Sequence, residues 1–198
     1  MIEQLREATR ARHTELDHAV YPIIQSIQSP ADYARVLRMF YGYFQPVYEK
    51  LEPFISSVIL PDYNSRRKPV AILDDLAVIG EQVGTVIPLC RNTPAITTTA
   101  EAFGALYVLE GSTMGGKIIA KKIKENTGLT DDHLSFFSAY RELNPAKWAI
   151  FIEALNHPHL EAESSALIDT AIDTFNQFKN WVVLQYPDKT HQKLPQQA

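Results

Sequence analysis

Apolar residues recur every three or four positions along most of the chain, and no segment alternates apolar and polar residues between turns. Such spacing is typical of amphipathic helices, because 3.6 residues complete one helical turn. The pattern therefore predicts an all-α fold of about seven helices in a single domain that spans residues 1–198. A polar tail, which we expect to be loosely held, follows about residue 187.

The ends of the helices are predicted from capping residues and prolines. The first helix covers about Ile2 to Val20 with Pro22 beyond it, and the second begins where Ser29 precedes a proline. Two further prolines, Pro46 and Pro53, are expected to bend or break this second helix. The other helices are expected at about residues 68–84, 98–126, 131–140, 144–155 and 160–184. The last of them has an inward face of Leu167, Ala171, Phe175, Phe178 and Trp181.

Composition and charge exclude several classes of protein. Of 198 residues, 45% are hydrophobic and 21% charged, which suits a globular domain with a sizeable core. A net charge of −4 argues against nucleic acid as a partner, and the chain has no apolar run of the ~18 residues that a membrane span needs. The single cysteine, Cys90, excludes an internal disulfide and a multi-cysteine metal site. With an acidic start unlike a signal peptide, this predicts a cytoplasmic protein.

The helix predicted at 98–126 is unusual because it contains four of the eight glycines of the chain. Each glycine costs a helix ~1 kcal/mol relative to alanine, so the cluster needs a reason. At 100° per residue Gly104, Gly111 and Gly115 share one face, and Ser112 and Gly116 widen it to one side. A surface without side chains either lets another helix pack closely or lets a flat or bulky ligand approach the backbone. The glycines alone leave both interpretations open.

The first helix carries a second candidate. His13 lies on the same side as Thr9 and Val20, whereas His18 is rotated toward the polar side. Arg6 precedes His13 by two turns, ~10.5 Å along the axis, on nearly the same face. An acidic group of a ligand bound by His13 could therefore reach Arg6. The alternative is a hydrogen-bonded core histidine with a solvated arginine, and spacing does not decide between them.

An imidazole on one helix and a glycine surface on another suit a slot for a planar ligand with one axial bond. Haem fits this description, because neutral imidazole is a common iron ligand and the open opposite side of the ring can bind O₂.

Two motifs resemble those of a known family. The segment Leu5-Arg6-Glu7-Ala8-Thr9 through His13-Thr14 resembles the proximal-helix motif of haem oxygenases. The segment Ala105-Leu106-Tyr107-Val108-Leu109-Glu110-Gly111-Ser112-Thr113-Met114-Gly115-Gly116 is similar to the distal-helix motif of their bacterial, biliverdin-producing branch. Because both motifs are in register about ninety residues apart, the resemblance covers the helix order and the whole chain length.

The resemblance implies an oxidoreductase that opens the ring of haem b with O₂ and releases biliverdin, CO and Fe²⁺. Haem is both substrate and cofactor in this reaction, and the electrons come from a separate reductase or ferredoxin. His13 corresponds to the axial iron ligand, with Thr9 in the same motif. The oxygen side of the ring corresponds to Gly111, Ser112, Gly115 and Gly116. Ser112 stands where animal members have an aspartate that organises water, so a hydroxyl replaces a carboxylate there.

The two propionates of haem need cationic or polar partners. Arg6 is the first candidate by the two-turn argument. Weaker candidates for the second propionate are Tyr140, Arg141 and Lys147, and Lys122 continues the line of the glycine face. The lysines at the end of the glycine-containing helix either complement its dipole or form a docking patch for an acidic electron donor. They are Lys117, Lys121, Lys122 and Lys124.

Three other functions remain as alternatives. A non-catalytic haem carrier or sensor would have nearly the same sequence, and only turnover distinguishes it. A ferritin-like di-metal oxidase is suggested by Glu15 and His18 at i, i+3, but it needs a second such pair, which the sequence lacks. A thiol-dependent enzyme would use Cys90, which has no histidine near it in the sequence.

Overall fold

The computed structural model describes residues 1–81 and 86–188, and these residues form eight α-helices and no strand. The helices are α1 (Ile2–Gln25), α2 (Pro30–Leu51), α3 (Val70–Val78), α4 (Thr99–Thr127), α5 (Ser135–Ser138), α6 (Asn144–Leu155), α7 (Pro158–Ala162) and α8 (Ser164–Gln185). The all-α prediction is confirmed. Most of the polar tail predicted after residue 187 lies outside the described residues.

Side-chain caps begin helices α2 and α4. Before α2, the hydroxyl of Ser29 accepts a hydrogen bond from the backbone N–H of Asp32 at 3.1 Å, as the sequence predicts. Before α4, Thr98 and Glu101 form a capping box in which each side chain accepts from the backbone of the other. Gly128, in the left-handed conformation, ends α4 close to the predicted position.

Two prolines do not interrupt their helices, contrary to the sequence-based expectation. Helix α2 continues through Pro46 to its end at Leu51. Proline has no N–H, so Pro46 leaves the carbonyl of Gly42 without a helical donor, and the backbone N–H of Cys90 donates to that carbonyl at 2.7 Å. A tertiary contact thus replaces the missing bond. Helix α1 likewise continues through Pro22 to Gln25 instead of ending near Val20.

Pro53 does break α2, as predicted: the helix ends at Leu51, and Pro53 lies in a short 3₁₀ turn, Glu52–Phe54, that follows it. Two predicted boundaries are wrong. Helix α3 ends at Val78, because Gly80 adopts φ +83° and stops it, so it never reaches residue 84, which lies outside the described residues. The helix predicted over 160–184 is two helices, α7 and α8, whose chain turns at Glu163.

The segment predicted as one helix over 131–140 is also divided. It forms a 3₁₀ turn, Asp131–His133, and then the short α5. The buried carboxylate of Asp75 on α3 accepts hydrogen bonds from the backbone N–H groups of Ser135 and Phe136, at 2.8 and 3.0 Å, and so starts α5. Ala139 then ends α5 with a positive φ of 41°. A distant side chain, invisible to local periodicity, therefore sets this boundary.

Helix α8 forms the centre of the packing, with α1 and α4 on either side of it. All five residues predicted to face inward from it are buried. Helices α1 and α4 meet near their C-terminal ends, where the side-chain amide of Asn126 donates to the carbonyl of Ile27 at 2.8 Å. Toward their middles a cavity lies between α1 and α4. The fold therefore places the face of α1 with His13 opposite the glycine face of α4.

Gly104 provides close packing between α4 and α8. A methyl group at Gly104 would overlap the backbone carbonyl of Leu167 on α8, which cannot move without shifting the helix. The packing interpretation of the glycine surface is therefore correct at this position. At Gly115, by contrast, an added methyl group meets nothing within 4 Å.

We predict that Gly104→Ala lowers the free energy of unfolding by about 1–3 kcal/mol, the usual cost of overpacking a core. Gly115→Ala is the matched control on the same helix. It should leave stability unchanged or raise it by up to about 1 kcal/mol through helix propensity. Urea unfolding followed by circular dichroism measures both. Equal effects of the two substitutions would contradict the proposed difference between these glycines.

Candidate active site

A cavity of about 290 Å³ lies between α1 and α4. Helix α1 forms one side and α4 the other, while aromatic rings from α2, α5, α6 and α8 close the rest. The lining residues are His13, Leu16, Asp17, Val20, Phe40, Phe44, Tyr107, Val108, Gly111, Ser112, Met114, Gly115, Ile119, Phe137, Trp148, Phe175 and Phe178. A lining that is mostly aliphatic and aromatic suits a flat, largely apolar ligand.

His13 faces this cavity from α1. Its side chain is 62% exposed, so it is not a buried core histidine, and its ring centroid lies 5.5 Å from that of Phe175. The Nε2 atom is 3.6 Å from Oδ2 of Asp17, one turn later on the same helix. This separation is too long for a hydrogen bond, so the contact does not occupy the exposed imidazole, which can bind a ligand. This arrangement can supply one axial bond to a metal.

The glycines of α4 separate into two groups by what faces them. Gly115 is open, and the nearest atom to a methyl group at Gly111 would be Cη2 of Trp148 at 3.8 Å. A methyl group at Gly116 would instead overlap the backbone carbonyl of Phe137, so Gly116 packs against α5 and does not line the cavity. Only Gly111 and Gly115 therefore present bare backbone to a ligand.

Ser112 is held in place from beneath α4. Its hydroxyl donates to the carbonyl of Leu109 at 2.6 Å and accepts from Nη2 of Arg67 at 2.8 Å. Arg67 is buried and also donates to the carbonyls of Leu109 and Phe136, with its guanidinium 4.3 Å from the centre of the Phe136 ring. With its proton on the Leu109 carbonyl and Arg67 as donor, the hydroxyl has one lone pair left to accept from a water molecule.

A buried ionic cluster lies next to Arg67. Glu110 is 1% exposed, and its carboxylate accepts from Nη1 of Arg66 at 2.6 Å and from the hydroxyl of Tyr140 at 3.0 Å. Arg66 also donates to Asp62 at 2.8 Å. Burial alone would lower the pKa of Arg66, but the charges of Glu110 and Asp62 raise it. Burial and then the charge of Glu110 raise the pKa of Tyr140, so its hydroxyl stays protonated and donates.

Comparison with known proteins gives consistent results. The family model described as "Heme oxygenase" matches residues 1–183. A protein named "Heme oxygenase" from Xanthomonas campestris pv. campestris (strain 8004) is 30% identical over 119 residues, which are 60% of this chain and 68% of that protein. The solved structure of heme oxygenase from Leptospira interrogans has 20% identity and a TM-score of 0.68, covering 90% of this chain and 96% of that one, and supports the fold.

The chain belongs to the haem oxygenase family. It is an enzyme that degrades haem, as its two sequence motifs implied. No helix in the described part of this haem oxygenase is long and apolar enough to cross a membrane.

The other residues expected in the site do not line the cavity. Thr9 is buried, and its hydroxyl donates to the carbonyl of Leu5 at 2.7 Å. The hydroxyl of Tyr140 donates to Glu110 and accepts from the backbone N–H of Arg67. Lys122 and Arg141 also lie outside the wall, and Arg141 points to Asp132 at 4.0 Å.

Arg66 and Arg67 were not predicted as functional residues, and neither was the contact of Glu110 with Arg66 and Tyr140. The signal was present, since Glu110 is a single acid in an apolar run of a helix, and a buried charge must be paired. What the sequence did not show is the partner, because Arg66 and Arg67 precede Glu110 by more than forty residues.

Two alternative sites find no support in the haem oxygenase structure. Among residues 1–81 and 86–188 no group of three or more His, Cys, Asp and Glu side chains could hold a metal ion, and Glu15 pairs with Lys179 at 2.5 Å. Cys90 is buried away from the cavity wall, and burial raises the pKa of its thiol, which disfavours the reactive thiolate.

We predict that Glu110→Gln lowers the free energy of unfolding by about 3 kcal/mol, because it leaves the buried charge of Arg66 only partly compensated. Glu125→Gln is the matched control on α4, since Glu125 is exposed and lies 3.8 Å from Lys121. The control should cost less than about 1 kcal/mol. Chemical unfolding curves measure both, and a Glu110→Gln protein as stable as the control would show that the ion pair is unimportant for stability.

Proposed function

We propose that this haem oxygenase opens haem b held in the cavity, with His13 as the axial iron ligand, and releases biliverdin, CO and Fe²⁺. One observation carries the proposal: an exposed imidazole on α1 faces the bare backbone of Gly111 and Gly115 on α4 across an aromatic cavity. When bound, haem supplies the iron at which O₂ is activated, and the chain positions the ring and controls protons.

The cavity wall fits the ring chemically. Its floor consists of the aromatic side chains Phe40, Phe44, Phe137, Phe175 and Phe178. Side chains at residues 111 and 115 would occupy the space that a planar ligand needs, and the chain has glycine at both. The aromatic side chains would thus contact the apolar macrocycle, and His13 would supply an imidazole for its iron.

Asp17 is proposed to orient the iron ligand. The carboxylate of Asp17 lies 3.6 Å from Nε2 of His13, and a hydrogen bond between them in the haem complex would hold the ring plane and increase the basicity of the other ring nitrogen. On the opposite side, the hydroxyl of Ser112 is proposed to hold water over the ring, with Arg67 keeping that hydroxyl in place. Arg67 is a positioning residue in this proposal, because it acts through Ser112.

Arg6 is the proposed partner of one propionate. It is half-exposed, and within residues 1–81 and 86–188 its one ion pair is with Glu3, whose side chain is 82% exposed, so a propionate can replace that contact. Lys147 is not free for the second propionate, because its Nζ bonds to Ser65 at 2.6 Å and to Asp62 at 3.0 Å.

The electrons are proposed to come from a separate reductase or ferredoxin in the cytoplasm. A single cysteine cannot hold an iron–sulfur cluster, so the chain has no such centre of its own. Three of the four lysines at the end of α4 pair with acids of this chain, namely Lys117 with Glu142, Lys121 with Glu125 and Lys124 with Asp131. These pairs favour a structural role for the lysines over a docking patch.

The test is an optical titration with hemin, followed by reduction in air with ascorbate and then with an enzymatic reductase. We expect one-to-one binding with a Soret band, its decay, and broad red absorption that survives added catalase. Binding without decay under both reductants would indicate a carrier or sensor. Absence of binding would contradict the proposed site.

We predict that His13→Ala abolishes the Soret band of the axially ligated ferric complex and that added imidazole restores it, because imidazole can occupy the vacated space. His18→Ala is the control, since His18 lies on the exposed side of α1 and not on the cavity wall. It should bind hemin as wild type does. Loss of the band in His18→Ala alone would assign the iron ligand to His18.

We predict that Arg6→Ala weakens hemin binding by roughly fivefold, the effect of about 1 kcal/mol expected from one half-exposed charge pair. Arg10→Ala, which removes an equally flexible arginine that pairs with Glu7, is the matched control and should leave the affinity unchanged. Fluorescence quenching during hemin titration measures both dissociation constants. Equal affinities for the two variants would remove Arg6 from the propionate site.

A further inference from the structure

The side chains at the two ends of the cavity differ in kind. Toward the C-terminal ends of α1 and α4 the wall is aliphatic, with Val20 and Ile119. At the α6 side it is formed by one large ring, that of Trp148, together with Tyr107. A ligand that lies flat between α1 and α4 therefore meets a different neighbour at each edge.

Trp148 packs against two other rings. Its ring stacks on Phe151 with centroids 5.5 Å apart and planes at 20°, and its centroid lies 5.8 Å from that of Tyr107. Helix α6 itself is tied to α4, because the side-chain amide of buried Asn144 donates to the carbonyl of Thr113 at 3.0 Å. The half-buried indole is thus held by packing against two aromatic neighbours.

The indole also reaches the surface on which a ring would lie. Cη2 of Trp148 is 3.8 Å from the position of a methyl group on Gly111, so the edge of the indole borders the open backbone there. Arg66 donates to the carbonyl of Lys147 at 2.8 Å and thereby holds the preceding residue against the buried cluster under α4. These contacts place Trp148 beside Gly111.

A porphyrin bound through one axial nitrogen can rotate about that bond. Its core is nearly fourfold symmetric, so only the substituents at its edges distinguish the four meso carbons. Contacts at the edge of the ring must therefore decide the in-plane orientation. Among the lining residues Trp148 is the only one from α6, and it is the bulkiest of them.

We propose that Trp148 is a specificity-determining residue that selects the in-plane orientation of haem and with it the meso carbon that is opened. The proposal rests on the proposed function. Steric contact between the indole and the substituents of one ring edge excludes the orientations that place a bulkier edge at α6. The axial bond through His13 does not depend on this contact, so binding and orientation are separable.

The experiment compares wild type with Trp148→Ala, Trp148→Phe and the control Trp181→Phe. Trp181, the other tryptophan of the chain, is buried between α8 and α2, where its indole N–H donates to the carbonyl of Met39 at 2.9 Å, and it is not on the cavity wall. Three readouts are needed: hemin affinity from the Soret titration, haem-methyl shifts of the ferric cyanide complex by NMR, and biliverdin isomers by chromatography.

For Trp148→Ala we expect hemin affinity to change by less than tenfold, a second set of haem-methyl signals, and at least a tenfold change in the isomer ratio. Trp181→Phe should match wild type in all three. Should Trp148→Ala fail to fold, Trp148→Phe, which keeps the stack on Phe151, should still change the ratio and the signals.

A folded Trp148 variant that binds hemin with wild-type shifts and isomers overturns the inference and leaves the proposed function intact. If wild type binds hemin but does not open it, the proposed function fails, and the NMR shifts alone decide whether Trp148 orients the ring. If wild type binds no hemin, both fail.

Discussion

The buried pair of Arg66 and Glu110 is the interaction on which the arrangement of the site depends. A carboxylate in the middle of a packed helix is tolerated only when it is paired and hydrogen-bonded, and Glu110 receives both a guanidinium and the hydroxyl of Tyr140. These contacts fasten the segment before α3 and the turn after α5 beneath α4. The opposite face of α4 is thereby directed at α1 and remains open.

Arg67, the residue after Arg66, connects this buried cluster to the hydroxyl of Ser112 on the cavity wall. Because Arg66 is fixed by Glu110 and Asp62, Arg67 is placed under α4, where it reaches Ser112. The hydroxyl at the cavity wall is thus oriented by a side chain that never contacts the ligand. In the same way, the bond from Arg66 to the carbonyl of Lys147 places Trp148 beside Gly111. The ion pair between Arg66 and Glu110 therefore helps to position both Ser112 and Trp148 at the cavity wall.

The local sequence pattern predicted the position of a residue correctly where that position depends only on its own helix. Periodicity predicted the inward face of α8, the serine cap predicted the start of α2, and the wheel placed His13 on the side of α1 that meets the cavity. The local pattern predicted helix boundaries wrongly where a residue distant in the sequence bonds to the backbone. Cys90 supplies the donor that lets α2 continue through Pro46, and Asp75 starts α5 within a segment predicted as one helix.

The sequence by itself determined the helical class, the positions of most helices and the two motifs that mark the family, because all of these follow from residues close together in the chain. Only the tertiary structure decided which glycines pack and which remain open. Gly104 and Gly116 meet backbone carbonyls of α8 and α5, whereas Gly111 and Gly115 face the cavity. Gly104, Gly111 and Gly115 lie within about 40° of one another on the helical wheel, so only their neighbours in space distinguish the packed Gly104 from the two open glycines.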